Sequence, residues 1–146
     1  MKNRRIILSI VLIVFYKYSY SQDFYDIKIN YLKSRIVQTS SKLKSEEEEL
    51  SRYVHLFFET GFKNDDILLV VNDTSEISLN VTTDESLGLA KYIKLGKIDE
   101  VKNFSVRIGN GALAYIELIK NQNCIGVYMV DNILTVDFIE GFPSYY

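Results

Sequence analysis

The chain has no tryptophan, and only one proline, one cysteine and one histidine among its 146 residues. Each scarcity excludes something. The lone Cys124 cannot staple the fold internally, so packing must stabilise it. One histidine and one cysteine far apart do not make a zinc-ligand spacing. The acidic pairs Asp65-Asp66, Asp84-Glu85 and Asp99-Glu100 lack the alternating oxygen ligands and fixed glycine of a calcium loop. No glycine-rich phosphate cradle is present, since Gly109-Asn110-Gly111 sits between two strand-like runs and suits a hairpin turn. Neither a metal nor a cofactor is therefore expected. Missing tryptophan weakens a carbohydrate-stacking role, although tyrosines could stack instead. The single proline is Pro143, and no linker, repeat or low-complexity tract divides the chain.

The most informative stretch that is present lies at the start. Lys2, Arg4 and Arg5 precede the apolar run Ile6–Phe15, which contains one serine, and the polar segment Tyr18-Ser19-Tyr20-Ser21 follows. That order is the layout of a secretory signal peptide. Its apolar core is about half the roughly 20 residues a membrane-spanning helix needs, and Lys17 blocks its extension. Ser19 and Ser21 offer the small −3 and −1 residues for cleavage before Gln22. The expectation is residues 1–21 as signal peptide and 22–146 as one domain, periplasmic or extracellular, with no stable membrane anchor after cleavage. A retained anchor is the alternative. The leader removes four of the 17 basic residues and none of the 19 acids, so 13 against 19 leaves a net charge of −6. A net-acidic surface repels phosphate backbones, which argues against nucleic acid as a partner.

Local patterning divides the rest into a helical first third and a strand-rich remainder. Ser45-Glu46-Glu47-Glu48 has the form of a capping box, with Leu50, Tyr53, Val54, Phe57 and Phe58 at helical spacing behind it. Gly61 would stop that helix. The spacing predicts helices over roughly 24–39 and 46–60, with a strand at Ile27–Tyr31 as an alternative to the first. From Asp66 the period becomes two. Asn72-Asp73-Thr74-Ser75 reads as a turn before the alternating Ile77, Leu79 and Val81. Leu87, Leu89, Ile93 and Leu95 continue the alternation, and Phe104, Val106 and Ile108 lead into the Gly109-Asn110-Gly111 turn. A two-residue turn at Asp131-Asn132 places Ile125, Val127, Met129, Leu134, Val136 and Phe138 on one apolar face, with Tyr128, Thr135 and Asp137 on the other. The expected fold class is α+β: N-terminal helices packed on one face of a curved antiparallel meander of about five to seven strands.

Chemistry-bearing residues are sparse. On a helix His55 would sit at the edge or back of the apolar stripe as a surface imidazole, with Glu59 one turn on. Cys124 suits a half-buried small residue at a strand start, or else a thiol paired between chains. Nineteen acids single out no carboxylate pair for hydrolysis. No catalytic residues are therefore assigned. The leading expectation is a non-enzymatic exported binding protein that engages a protein partner, as an inhibitor or immunity-type module. Its C-terminal aromatics Phe142, Tyr145 and Tyr146 would be partner-binding residues. An alternative is a cone-shaped ligand-binding protein or weak hydrolase or isomerase. Its candidates by strand position are Arg107, Tyr115, Glu117 and Tyr128, with Lys91 and Tyr92 beside them. A structural envelope component is the third.

Overall fold

The computed structural model describes residues 26–38 and 46–145. The strands are β1 (Asp26–Ile36), β2 (Tyr53–Phe58), β3 (Asp65–Val71), β4 (Ser75–Val81), β5 (Lys91–Lys97), β6 (Asn103–Ile108), β7 (Ala114–Glu117), β8 (Cys124–Val130) and β9 (Ile133–Glu140). The one helix among the described residues, α1 (Glu47–Leu50), is a single turn. The strands form a five-stranded sheet, β1-β9-β8-β2-β5, and a four-stranded sheet, β4-β3-β6-β7. Buried side chains from both share one core, including Leu56, Phe58, Leu69, Val106, Ile125 and Val136. Each such burial is worth about 1.5–3 kcal/mol. The molecule is a β-sandwich.

This overturns the α+β expectation. The apolar face that helices were to cover is covered by a second sheet. The residues behind the supposed helix 46–60 leave α1 after Leu50 and become β2, a central strand between β8 and β5. Val54, Leu56 and Phe58 join the shared core, whereas Phe57 packs in a separate cluster on the opposite face of the sheet. His55 is buried on that opposite face too. A strand buried on both faces loses its period of two, and a short apolar run then mimics a helical stripe. The first expected helix is instead β1, the strand alternative, extended to Ile36. The meander also fails, because β1 pairs β9 and β2 pairs β8 in parallel. The capping serine, Ser45, lies outside the described residues.

Gly61 does not end a helix. Its φ is +91°, and a Cβ there would run into the carbonyl oxygen of Met129, where the loop approaches β8. Glycine meets both demands at once.

Turn chemistry fared better. The β8–β9 hairpin pairs Val130 with Ile133, Met129 with Leu134, Val127 with Val136 and Ile125 with Phe138, the register that the Asp131-Asn132 turn dictates. Both turn residues have positive φ, 50° and 62°, which matches the twist of the flanking strands. Asn72 and Asp73 also have positive φ, 51° and 59°, but the loop from β3 to β4 holds three residues, since Val71 pairs with Ser75.

Candidate functional site

The outer face of the five-stranded sheet carries most of the buried polar chemistry. Pairing of β2 with β8 sets Phe57 beside Gly126, and pairing of β8 with β9 sets Asp137 on the other side of that glycine. Gly126 is the floor of a cluster. A Cβ there would lie 2.5 Å from Arg35 Nη2 and 2.9 Å from Glu59 Oε2, so a larger residue would push that ion pair aside. Arg35 Nη2 donates to both oxygens of Glu59 at 2.7 Å. Tyr145 Oη donates to Glu59 Oε1 at 2.6 Å, which fastens the C-terminal segment onto the sheet. Asp137 accepts from Asn30 Nδ2 through Oδ1, and from Tyr128 Oη at 3.0 Å through Oδ2. Arg35 Nε lies 3.8 Å from Asp137 Oδ2, an electrostatic contact beyond hydrogen-bond reach.

Beside this network, His55 is 1% exposed rather than the surface imidazole expected of a helix. Its Nδ1 pairs with Tyr92 Oη and its Nε2 with the Leu50 carbonyl, each at 2.8 Å. A carbonyl only accepts, so Nε2 carries the proton and Nδ1 accepts from the tyrosine. Cys124 is buried at the start of β8, in a cluster with Phe57 and Ile139 that Phe142 and Tyr145 cover.

Each titratable group here is held in a quiet state. Burial, opposed by the Leu50 hydrogen bond and reinforced by Lys94, lowers the His55 pKa and keeps the ring neutral. Burial pushes the Cys124 thiol up to about 12, so it is protonated and unreactive. Burial, then the bond and charge of Glu59, raise the Tyr145 phenol. Burial works against the Arg35 charge, but the bond and charge of Glu59 outweigh it and hold the guanidinium above its ordinary pKa. Both carboxylates are engaged by these donors. The cluster is built to fasten.

The outer face of the four-stranded sheet differs. Phe104, Val106 and Ile108 of β6 point into the core, so Asn103, Ser105 and Arg107 face outward. Register places Leu68 beside Arg107, and Val70 and Tyr115 on either side of Ser105. Tyr115 and Leu113 are 44% and 49% exposed. Arg107 has a buried Nε with no hydrogen-bond partner, and it forms no ion pair among the described residues. It borders a shallow hollow of about 380 Å³ with Asp66, Leu68, Ser78 and Gly109. Asp66 Oδ1 is already occupied by Asn80 Nδ2 at 2.9 Å.

The residues singled out from sequence thus separate. Arg107, Tyr115 and Glu117 share the outer face of the four-stranded sheet, while Tyr128 lies on the outer face of the other sheet, across the core. They do not converge on one cavity, and the interior between the sheets is filled with side chains. Phe142 and Tyr145 are engaged against Phe57, at ring distances of 5.3 and 5.6 Å. Tyr146 lies outside the described residues. Lys91 and Tyr92 are on β5, where Tyr92 stacks on His55 and Phe57. Sequence reasoning missed Arg35, Glu59, Asp137 and Asn30. The one signal was the polar outer face of the β8–β9 hairpin. Among the described residues, no group of three or more His, Cys, Asp or Glu is placed to hold a metal ion.

No family model matches the sequence. Comparison with curated proteins likewise finds no match. Among solved structures, the NMR structure of a protein from Eubacterium rectale shares 18% identity, covering 60% of this chain and 86% of its own, with a TM-score of 0.38. A likeness of that size carries nothing about fold or function.

Proposed function

We propose that this is a small exported binding protein that engages a protein partner through the outer face of its four-stranded sheet. The carrying observation is Arg107: a cation with no hydrogen bond or ion pair among the described residues, beside Leu68 and on one face with the exposed Tyr115. Arginine and tyrosine framed by half-exposed apolar groups are the residue types that anchor protein interfaces. A guanidinium left unpaired in the free chain can meet an acceptor that a partner brings to its outer nitrogens. The acids of this face, Asp66 at the Arg107 hollow, Asp73 and Glu117 near Tyr115 and Glu76 on β4, suit a partner with a basic rim. An inhibitor or immunity-type role toward a basic enzyme fits that chemistry. Export rests on the leader sequence.

The test begins with envelope extracts passed over immobilised protein at low and high salt, followed by calorimetric titration of the captured protein. Arg107→Met should weaken binding by roughly tenfold or more, as loss of an interface anchor does. Capture indifferent to both salt and Arg107→Met would refute the proposal.

A further inference from the structure

Each sheet has two edge strands, and an open edge is a template for another strand unless something blunts it. Three of the four edges carry such a device. On β5, Lys91, Lys94 and Lys97 recur, and its register with β2 slips between Val54 and His55. On β1 the pairing breaks between Asn30 and Arg35, and Lys28 and Arg35 add charge. The β7 strand has only four residues, and the Tyr31 hydroxyl reaches it, accepting from Glu117 N at 3.3 Å and donating to Tyr115 O at 3.5 Å. The fourth edge is different. Strand β4, Ser-Glu-Ile-Ser-Leu-Asn-Val, pairs with β3 over all seven residues without a slip. It contains no lysine, proline or glycine, and no other described strand lies against it.

We infer that β4 is a strand-pairing site for a second copy of this chain, joining two four-stranded sheets into one of eight strands across a two-fold axis at Ser78. The sequence of β4 is self-complementary about that residue. Antiparallel pairing centred there sets Ile77 against Leu79 of the second copy, Glu76 against Asn80, and Ser78 against itself. Directly opposite residues share a face, so the core-side Ile77, Leu79 and Val81 of both copies remain on the core side. Ile77 and Leu79 are only half-buried in the single chain, so pairing covers apolar surface left open at the edge. The two Glu76 carboxylates fall four residues apart along the strand. That is on the order of 13 Å, beyond the roughly 8–10 Å over which exposed charges interact in physiological salt. No like charges oppose one another in this register.

The experiment measures the association state of the purified protein by sedimentation over a roughly hundredfold concentration range, with three exposed-site variants. A concentration-dependent dimer is expected. Ser78→Lys sets two ammonium groups opposite each other at the axis and should weaken dimerisation several-fold, with an unchanged circular dichroism spectrum. Ser78→Cys should give a disulfide-linked dimer on mild oxidation, because its thiols meet at the axis. Glu76→Cys should not, since its thiols stay far beyond disulfide reach. A monomer throughout the range overturns the inference. So does a dimer that Ser78→Lys leaves intact, or cross-linking of Glu76→Cys as ready as that of Ser78→Cys.

Discussion

The two outer faces of the sandwich are made from similar strands and treat polar groups in opposite ways. On the five-stranded sheet, Arg35, Glu59, Asp137, Tyr128 and Tyr145 are joined in one network under a C-terminal cover, with Arg35 Nε left without a hydrogen bond. On the four-stranded sheet, Tyr115 stands open, and Arg107 makes no hydrogen bond or ion pair among the described residues. Buried polar groups must be paired or they cost free energy, so the first face reads as fastening. On the second face Arg107 has no such network to join among the described residues. Under the proposed function, stability and recognition would lie on opposite sides of one core.

That contrast is broken most sharply at Phe57. Its ring is 2% exposed and contacts the rings of Tyr92, Phe142 and Tyr145. Phe57→Ala should cost about 3–5 kcal/mol through lost burial and the cavity left behind, measured by urea unfolding. A loss under about 1 kcal/mol would mean the covered face is loosely packed and not a fastening at all.

The next largest effect tests the latch itself. Tyr145→Phe keeps the ring against Phe57 and removes only the hydroxyl that donates to Glu59. Loss of a charge-assisted hydrogen bond at a half-buried site should cost about 1–2 kcal/mol. If this bond holds the segment down, Cys124 beneath it should also react faster with a thiol reagent. Lower stability with no change in Cys124 labelling would place the latch elsewhere.

What was legible in the sequence follows the same division by range. Local rules worked: Asp131-Asn132 fixed the hairpin register, and the outward side of Tyr128 and Asp137 followed from it. Parallel pairing of β2 with β8 and of β1 with β9 joins segments far apart in sequence, and no local pattern encodes it. That pairing is what brings Arg35 and Glu59 over Gly126, so the cluster stayed hidden while its Asp137 corner was visible. Because Phe57 and His55 are buried on the second face of β2, the strand lost its alternation and imitated a helix. On the other face, Arg107 and Tyr115 could be named from strand position only as the lining of a cone, and both face outward because the core side of β6 and β7 belongs to Phe104, Val106, Ile108 and Ile116.

A third prediction concerns pH. The folded His55 pKa lies below its unfolded value of about 6.5. Above that value both states are neutral and His55 adds no pH dependence. As pH falls below it, the unfolded chain takes up a proton that the folded chain refuses. Stability therefore declines, by at most about 1.4 kcal/mol per pH unit, until the folded pKa is reached. His55→Gln should remove that acid-side component, seen as the difference between the two stability–pH curves from urea unfolding. Parallel curves would show that the imidazole is protonated in the fold, and that the face is less closed than the geometry implies.

The smallest expected effect carries the other half of the contrast. Arg107→Met keeps the apolar stem beside Leu68 and deletes the guanidinium. Were Arg107 part of the fastening, stability would fall. Because its Nε is buried without a partner, the change should leave stability within about 0.5 kcal/mol or raise it slightly. Tyr115→Ala, at an exposed position, should be similarly neutral. A residue that costs the free chain something and yet weakens partner capture when replaced is retained for recognition. If Arg107→Met instead destabilises by more than about 1 kcal/mol, the open face holds the fold together too, and the division of labour between the two sheets fails.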